Sequence, residues 1–286
     1  MKAVIAGVLA LTGCVGALAS IGDAQNDARI PLGGQVPVLQ GQAMQGGLVR
    51  GRGQGGATLL LNGRPVPVAA DGSFILGFDR DAGPSALLVQ RSRAGEETRL
   101  AIAVLPRAWR IERVNAPYRA GRTTAEFEAL RPGELARIAA ARGRVTDAQG
   151  WRQLFRWPAI GRQSGWFGAQ RVYQGKPGGY HSGADVALPT GAPVTAPADG
   201  VVVLAASTPF TLEGRLLMLD HGAGLSSAFL HLSRIDVTDG EAVRQGQLIG
   251  AVGATGRVTG PHLHWGLQWR GAKLDPLLVA GPMPGR

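Results

Sequence analysis

Residues 243–265 read VRQGQLIGAVGATGRVTGPHLHW, and the run continues through Gly266, Leu267 and Gln268 to Trp269. Short apolar runs are cut here by glycine every few residues, which leaves no room for a helix of three turns and predicts short strands joined by tight turns. In PHLHWGLQW the alternation of Leu263, Trp265, Leu267 and Trp269 with His262, His264, Gly266 and Gln268 has the period of a half-buried strand. Both histidines therefore share one face, opposite the apolar side chains.

The same texture extends back to Gly161. Of the 44 glycines, 22 fall in residues 161–286, where they separate apolar runs such as APVTAPADGVVVLAA and RLLMLDHGAG. Closely spaced strands of four to six residues predict an antiparallel sheet folding over itself, so the expected fold class is mainly β. Residues 30–107 are also expected to be β. In ATLLLNGRPVPVAADGSFILGF the pairs Asn62-Gly63 and Asp71-Gly72 sit between apolar runs as hairpin signals, and a small β-sandwich is predicted. That part has no histidine or cysteine and reads as a spacer or adaptor. Between the two, residues 108–160 read as a linker with one helix. In RPGELARIAAARGR, Pro132 suits a first turn, Leu135, Ile138 and Ala139 recur at helical spacing, and Gly143 ends the run. A solvated or bridging helix is expected there.

With 286 residues, 45% hydrophobic and 17% charged, and a mean hydropathy of +0.05, the chain is neither disordered nor collagen-like. Its net charge of +10 raises the question of a nucleic-acid partner. The surplus peaks in residues 108–160, with ten basic and five acidic residues, and 27 of the 30 basic side chains are arginine, without an aromatic-interleaved cluster. No nucleic-acid partner is expected. After Met1 and Lys2, the apolar run AVIAGVLALTGCVGALAS followed by polar IGDAQND has the layout of a signal peptide over residues 1–19, and export to the periplasm or cell envelope is expected. Two processing routes fit it. Ala17-Leu18-Ala19 suits cleavage, while Leu11-Thr12-Gly13-Cys14 suits a lipoprotein anchored through Cys14, and the apolar stretch running past Cys14 favours cleavage. No stable membrane span is expected, because the stretch is short and interrupted by glycine.

All five histidines, His181, His221, His231, His262 and His264, lie in the last 106 residues. His181-x-x-x-Asp185 brings an imidazole and a carboxylate together if the small residues between them let the loop bend, and His262-x-His264 adds imidazoles from one strand face. Two nitrogens and a carboxylate oxygen would leave zinc one open tetrahedral position. Either pattern alone arises by accident; their order along the chain is more specific.

In that order, with SGWFGAQR, GGYHSGADVALPTGAPVTAPADGVV, LDHGAGLSSAFLHLS and LDP, residues from Ser164 to Leu278 resemble the lysostaphin-type (LytM-like) zinc metalloendopeptidases, which hydrolyse peptide cross-links of bacterial peptidoglycan. The resemblance implies a C-terminal antiparallel peptidase domain of the duplicated-hybrid-motif type over residues 161–286. It implies Zn2+ held by His181, Asp185 and His264, catalysis by His231 and His262, and hydrolysis by metal-activated water on peptidoglycan peptide cross-links. It does not divide the roles of the two catalytic histidines. His221 is read as structural. A non-catalytic relative that binds the wall or activates an amidase is the alternative, set against all five motif positions being filled. A lipoyl-like or phosphocarrier module, suggested by APADGVV and VRQGQLIGAVGATG, lacks a lysine at a tip hairpin.

Overall fold

The computed structural model describes residues 29–30, 36–117 and 124–284. The signal segment expected at 1–19, with Cys14, lies outside the described residues. Among those described, no helix is long and apolar enough to cross a membrane.

The architecture is mainly β, as the glycine punctuation predicts. In the N-terminal part, a five-stranded antiparallel sheet contains Thr58–Leu61, Arg64–Val66, Ser85–Arg91 and Glu97–Ala103, and a three-stranded sheet contains Val38–Gln40, Leu48–Arg52 and Ser73–Gly77. Leu59, Leu88 and Ile102 from the first and Val49, Phe74 and Leu76 from the second are buried in one cluster. Asn62 (φ 48°) and Gly63 (φ 78°) form the two-residue turn joining Thr58–Leu61 to Arg64–Val66, the hairpin their sequence predicts. Asp71-Gly72 departs from expectation. It is a turn, but the strands flanking it belong to different sheets, so it carries the chain from one layer to the other. Gly72 (φ 82°) passes so close to the Gly53 carbonyl that a Cβ there would overlap it.

The C-terminal part is built on a sheet ordered Arg162–Gly165, Ala184–Ala187, His262–Trp269, Leu225–Leu232, Gly214–Asp220, Gly200–Phe210 and Ala242–Val243, with Ala272–Leu274 paired beside His262–Trp269. Along His262–Trp269 every second residue is buried. Leu263, Trp265, Leu267 and Trp269 enter the core with Val186, Leu217, Leu219 and Phe229, leaving the histidine face outward. The cluster is continuous with that of the N-terminal sandwich, so one hydrophobic core serves both parts. Gly77 of the sandwich packs so closely that an added Cβ would lie 2.9 Å from Trp269 Cβ.

The segment between them is more than a linker with a helix. Ile111–Val114 pairs in parallel with Gln170–Tyr173, which pairs antiparallel with Lys176–Tyr180, forming a three-stranded sheet beside the main one. Helix α1 (Ala125–Gly143) begins seven residues before the start that Pro132 suggests. Thr124 caps it, accepting from Phe127 N at 3.1 Å, with Glu126 and Glu128 complementing the dipole in the first turn, and Pro132 is exposed in the interior. The buried stripe is Glu134, Ile138 and Ala141; Leu135 is 49% exposed and Ala139 is exposed. The helix is not a solvated spacer. Ile138 and Ala141 pack on Val203, Leu216 and Met218 of the main sheet, while Glu134 accepts from Thr211 N and Oγ1, each at 2.6 Å.

Candidate metal centre

Strand register builds the site. Asp185 stands directly opposite His264 on neighbouring strands, and Ala187 stands opposite His262. The period-two alternation turns His262, His264 and Asp185 to the same side of the sheet. His181 arrives from the preceding loop, where its N–H donates to Ala169 O and its carbonyl accepts from Gly168 N, both at 2.8 Å. Three potential ligand atoms converge: His181 Nε2 is 3.0 Å from Asp185 Oδ1 and 3.1 Å from His264 Nδ1, and His264 Nδ1 is 2.8 Å from Asp185 Oδ1. Among the described residues this is the one cluster of three or more potential metal ligands.

The donor set fits a zinc ion. His181 Nδ1 lies 3.1 Å from Trp166 O, which only accepts, so in the neutral ring the hydrogen is on Nδ1 and the lone pair is on Nε2. That lone pair faces the Asp185 carboxylate, and two acceptors at 3.0 Å repel unless a proton or a metal cation lies with them. The three separations are within a few tenths of an ångström of the roughly 3.3 Å expected between ligands of a tetrahedral zinc with bonds of about 2.0–2.1 Å. Glycines make the room: a Cβ at Gly165 would overlap Asp185 Oδ2, and one at Gly183 would lie 2.7 Å from His264 Nε2. Burial alone would raise the Asp185 carboxyl, but the His181 and His264 imidazoles beside it hold it well below the usual carboxylate range.

Two more imidazoles flank the cluster without joining it. His262 Nε2 is 3.9 Å from Asp185 Oδ1, and its Nδ1–H donates to Gly260 O at 2.9 Å. His231 lies 4.9 Å from His262 and 6.3 Å from His264, centroid to centroid, with Nδ1–H donating to Thr255 O at 3.0 Å. In each neutral ring, Nε2 is left as an acceptor. Burial pulls the His231 pKa down to about 4, so the ring is neutral near pH 7. Along Leu225–Leu232, the residues sharing the site face are Ser226, Ala228 and Leu230, and strict alternation would send His231 the other way. Its φ of 66° and an interrupted register between Arg215 and Leu217 break that alternation at His231. A sequence pattern offers no sign of that bulge.

His221 is a different kind of histidine. It is fully buried, donating Nδ1–H to Asp199 O at 2.7 Å and accepting at Nε2 from Ser227 Oγ at 2.8 Å, while that oxygen accepts from Trp265 Nε1 at 3.2 Å. Its hydrogen bonds all serve packing, in keeping with a structural reading. Trp166 and Gln170 lie within the SGWFGAQR segment, but the sequence assigns them no role; one acts through its backbone carbonyl and the other through its side-chain amide.

The profile described as Peptidase family M23 matches residues 179–276. A crystal structure from Pseudomonas aeruginosa bearing the name peptidase M23 is 30% identical, with a TM-score of 0.65, over 84% of this chain and 96% of that one. The peptidoglycan DD-endopeptidase ShyA of Vibrio cholerae is 44% identical over 103 residues, which is 36% of this chain and 24% of ShyA. The DD-carboxypeptidase/endopeptidase Mpg of Neisseria meningitidis is 41% identical over 110 residues, covering the same shares of the two chains. The match thus spans about a quarter of the length of these curated relatives.

Proposed function

The chain belongs to peptidase family M23, and from that premise we propose that it is an exported zinc-dependent endopeptidase hydrolysing peptide cross-links of peptidoglycan. Residues 161–286 would be the catalytic part, 108–160 the connecting part, 30–107 the N-terminal β part and 1–19 the export signal. The observation that carries the reading is the convergence of His181 Nε2, Asp185 Oδ1 and His264 Nδ1 beside two uncommitted imidazole nitrogens. The names of the similar relatives support a DD cross-link as the bond, with a glycine bridge as the alternative outcome of the test.

In this mechanism His181, Asp185 and His264 hold the metal. Bound there, zinc supplies Lewis acidity, which lowers the pKa of water and polarises a carbonyl. His231 and His262 do the proton work. Each has Nδ1–H committed to a backbone carbonyl, which fixes the tautomer and directs Nε2 as a base. The proton taken from the attacking water is held by this pair 4.9 Å apart and delivered to the leaving amine, and in its charged form the pair donates to the oxyanion of the tetrahedral intermediate.

The test is mass spectrometry of muropeptides released from sacculi of defined cross-link, with and without a chelator. Release of monomers cut at the D-alanyl bond, abolished by the chelator and by His262→Ala with zinc retained, is expected. Release indifferent to chelation, or no release by the zinc-loaded wild type, overturns the reading and the second result leaves the non-catalytic relative standing.

A further inference from the structure

The N-terminal sandwich, which carries no catalytic motif, puts a buried cation against the loop that presents His181. Arg80 lies in the turn after Ser73–Gly77 and is 6% exposed. Its Nε donates to Gly168 O at 3.2 Å, Nη2 to Gln170 Oε1 at 2.8 Å and Nη1 to Asp81 Oδ1 at 2.8 Å. The guanidinium also stands 4.6 Å from the ring of Tyr180 and 5.3 Å from that of Trp109. The preceding residue adds to the clamp, with Asp79 Oδ1 accepting from Tyr180 OH at 3.2 Å and Oδ2 from Lys273 N at 2.8 Å.

Apart from Asp81 and Trp109, the groups Arg80 touches belong to the segments around His181. Tyr180 is its chain neighbour. Gly168 donates its N–H to His181 O, Ala169 accepts from His181 N, and Trp166, two residues before Gly168, accepts from the imidazole Nδ1. Gln170 extends the bridge, donating from its amide to Gly178 O at 2.7 Å. A guanidinium fork with two acceptors in fixed directions holds both in one geometry, which a flexible ammonium would not do. Fixing Gly168 and Gln170 fixes the short segment that pairs with the His181 backbone and sets the tilt of its ring.

We propose that Arg80 is a positioning residue for His181, so that the N-terminal β part is a component of the metal centre rather than a spacer. The proposal rests on His181 being a zinc ligand, as in the function given above. Outer residues that orient a metal ligand are worth roughly 10–100-fold in metal affinity.

The experiment measures zinc affinity of the full chain by competition with a chromophoric chelator, the visible spectrum of the cobalt-substituted chain, and the unfolding midpoint of the metal-free chain. Arg80→Lys, which keeps the charge but not the fork, is expected to weaken zinc binding about tenfold and to shift the cobalt bands, with the metal-free midpoint near wild type. Gln170→Met should weaken binding in the same direction, and the double variant should lose less than the product of the two single losses, because both act through one bridge. Arg152→Ala, which breaks the exposed Arg152–Asp71 ion pair between the N-terminal sandwich and the connecting segment away from His181, should leave affinity and spectrum unchanged. Arg80→Met should exceed the Lys variant; if it does not fold, the Lys and Gln170 arms decide. Unchanged zinc affinity and cobalt bands in Arg80→Lys and Gln170→Met, an equal loss in Arg152→Ala, or a wild type that takes up no zinc overturns the proposal. Muropeptide release by wild type is read separately, so failure of the hydrolase reading with the affinity losses intact leaves the positioning role in place.

Discussion

Substituting His221 by Asn should reduce the acid sensitivity of folding. The ring is fully buried, edge-on to Phe155 at 4.9 Å between centroids, and its two nitrogens are committed to Asp199 O and Ser227 Oγ. Protonation at Nε2 would turn an acceptor into a donor and place an unpaired charge in the core, and burial accordingly pulls the pKa to about 4 from the usual 6.5. Above pH 6.5 neither folded nor unfolded chains carry this proton, and the group adds no pH dependence. Between pH 6.5 and 4 the unfolded chain binds a proton that the folded chain refuses, so stability falls as pH falls, by up to about 1.4 kcal/mol per unit. Over that window the loss is about 3 kcal/mol, and below pH 4 the slope from this group disappears. Urea unfolding of wild type and His221→Asn at fixed zinc, from pH 7 to pH 4, isolates the effect, because proton linkage of the metal ligands is common to both. The wild type should be the more stable at pH 7, and the gap should narrow by about 2–3 kcal/mol toward pH 4. Parallel stability curves across the window would refute the reasoning, since they would mean His221 titrates alike in both states.

Gly165→Ala should lower zinc affinity about tenfold or more in a competition titration without altering the circular dichroism of the fold, because its Cβ would fall on Asp185 Oδ2. His231→Ala should retain zinc by elemental analysis and lose about 10²–10⁴ in muropeptide release, whereas His181→Ala should lose both. Glu134→Ala should destabilise the chain by about 2–3 kcal/mol in urea, since Thr211 N and Oγ1 would lose the carboxylate that pairs with both; Leu135→Ala on the exposed side of the same helix should cost far less.

What the sequence revealed follows the range of the forces involved. His262 and His264 on one face, and the Asn62-Gly63 turn, depend on neighbouring residues and a fixed backbone period, so both were readable. The start of helix α1 was not, because Pro132 is an acceptable first residue and also a tolerated interior one on a solvent face; Thr124 with Glu126 and Glu128 decides it. Burial of Glu134 has no local signal, because its partner Thr211 lies 77 residues on. The sheet switch after Asp71-Gly72, the strand Ile111–Val114 inside the linker and the bulge that redirects His231 are all set by partners distant in the chain. Arg80 was indistinguishable from the other arginines for the same reason.

The bond from Lys273 N to Asp79 spans 194 residues, and Arg107 meets Asp275 at 2.8 Å. A chain made from its N-terminus has the Asp79–Arg80 turn long before Lys273 exists. The Lys273 tie closes a far longer loop than those of Asp79 to Tyr180 or Arg80 to Gly168, at a somewhat larger entropic cost. The ties of Arg80 to Gly168 and Gln170 need only the first 170 residues, whereas the pairing of Asp185 with His264 and the Lys273 tie need the C-terminal strands, so the sandwich meets the His181 side of the site independently of the His264 side.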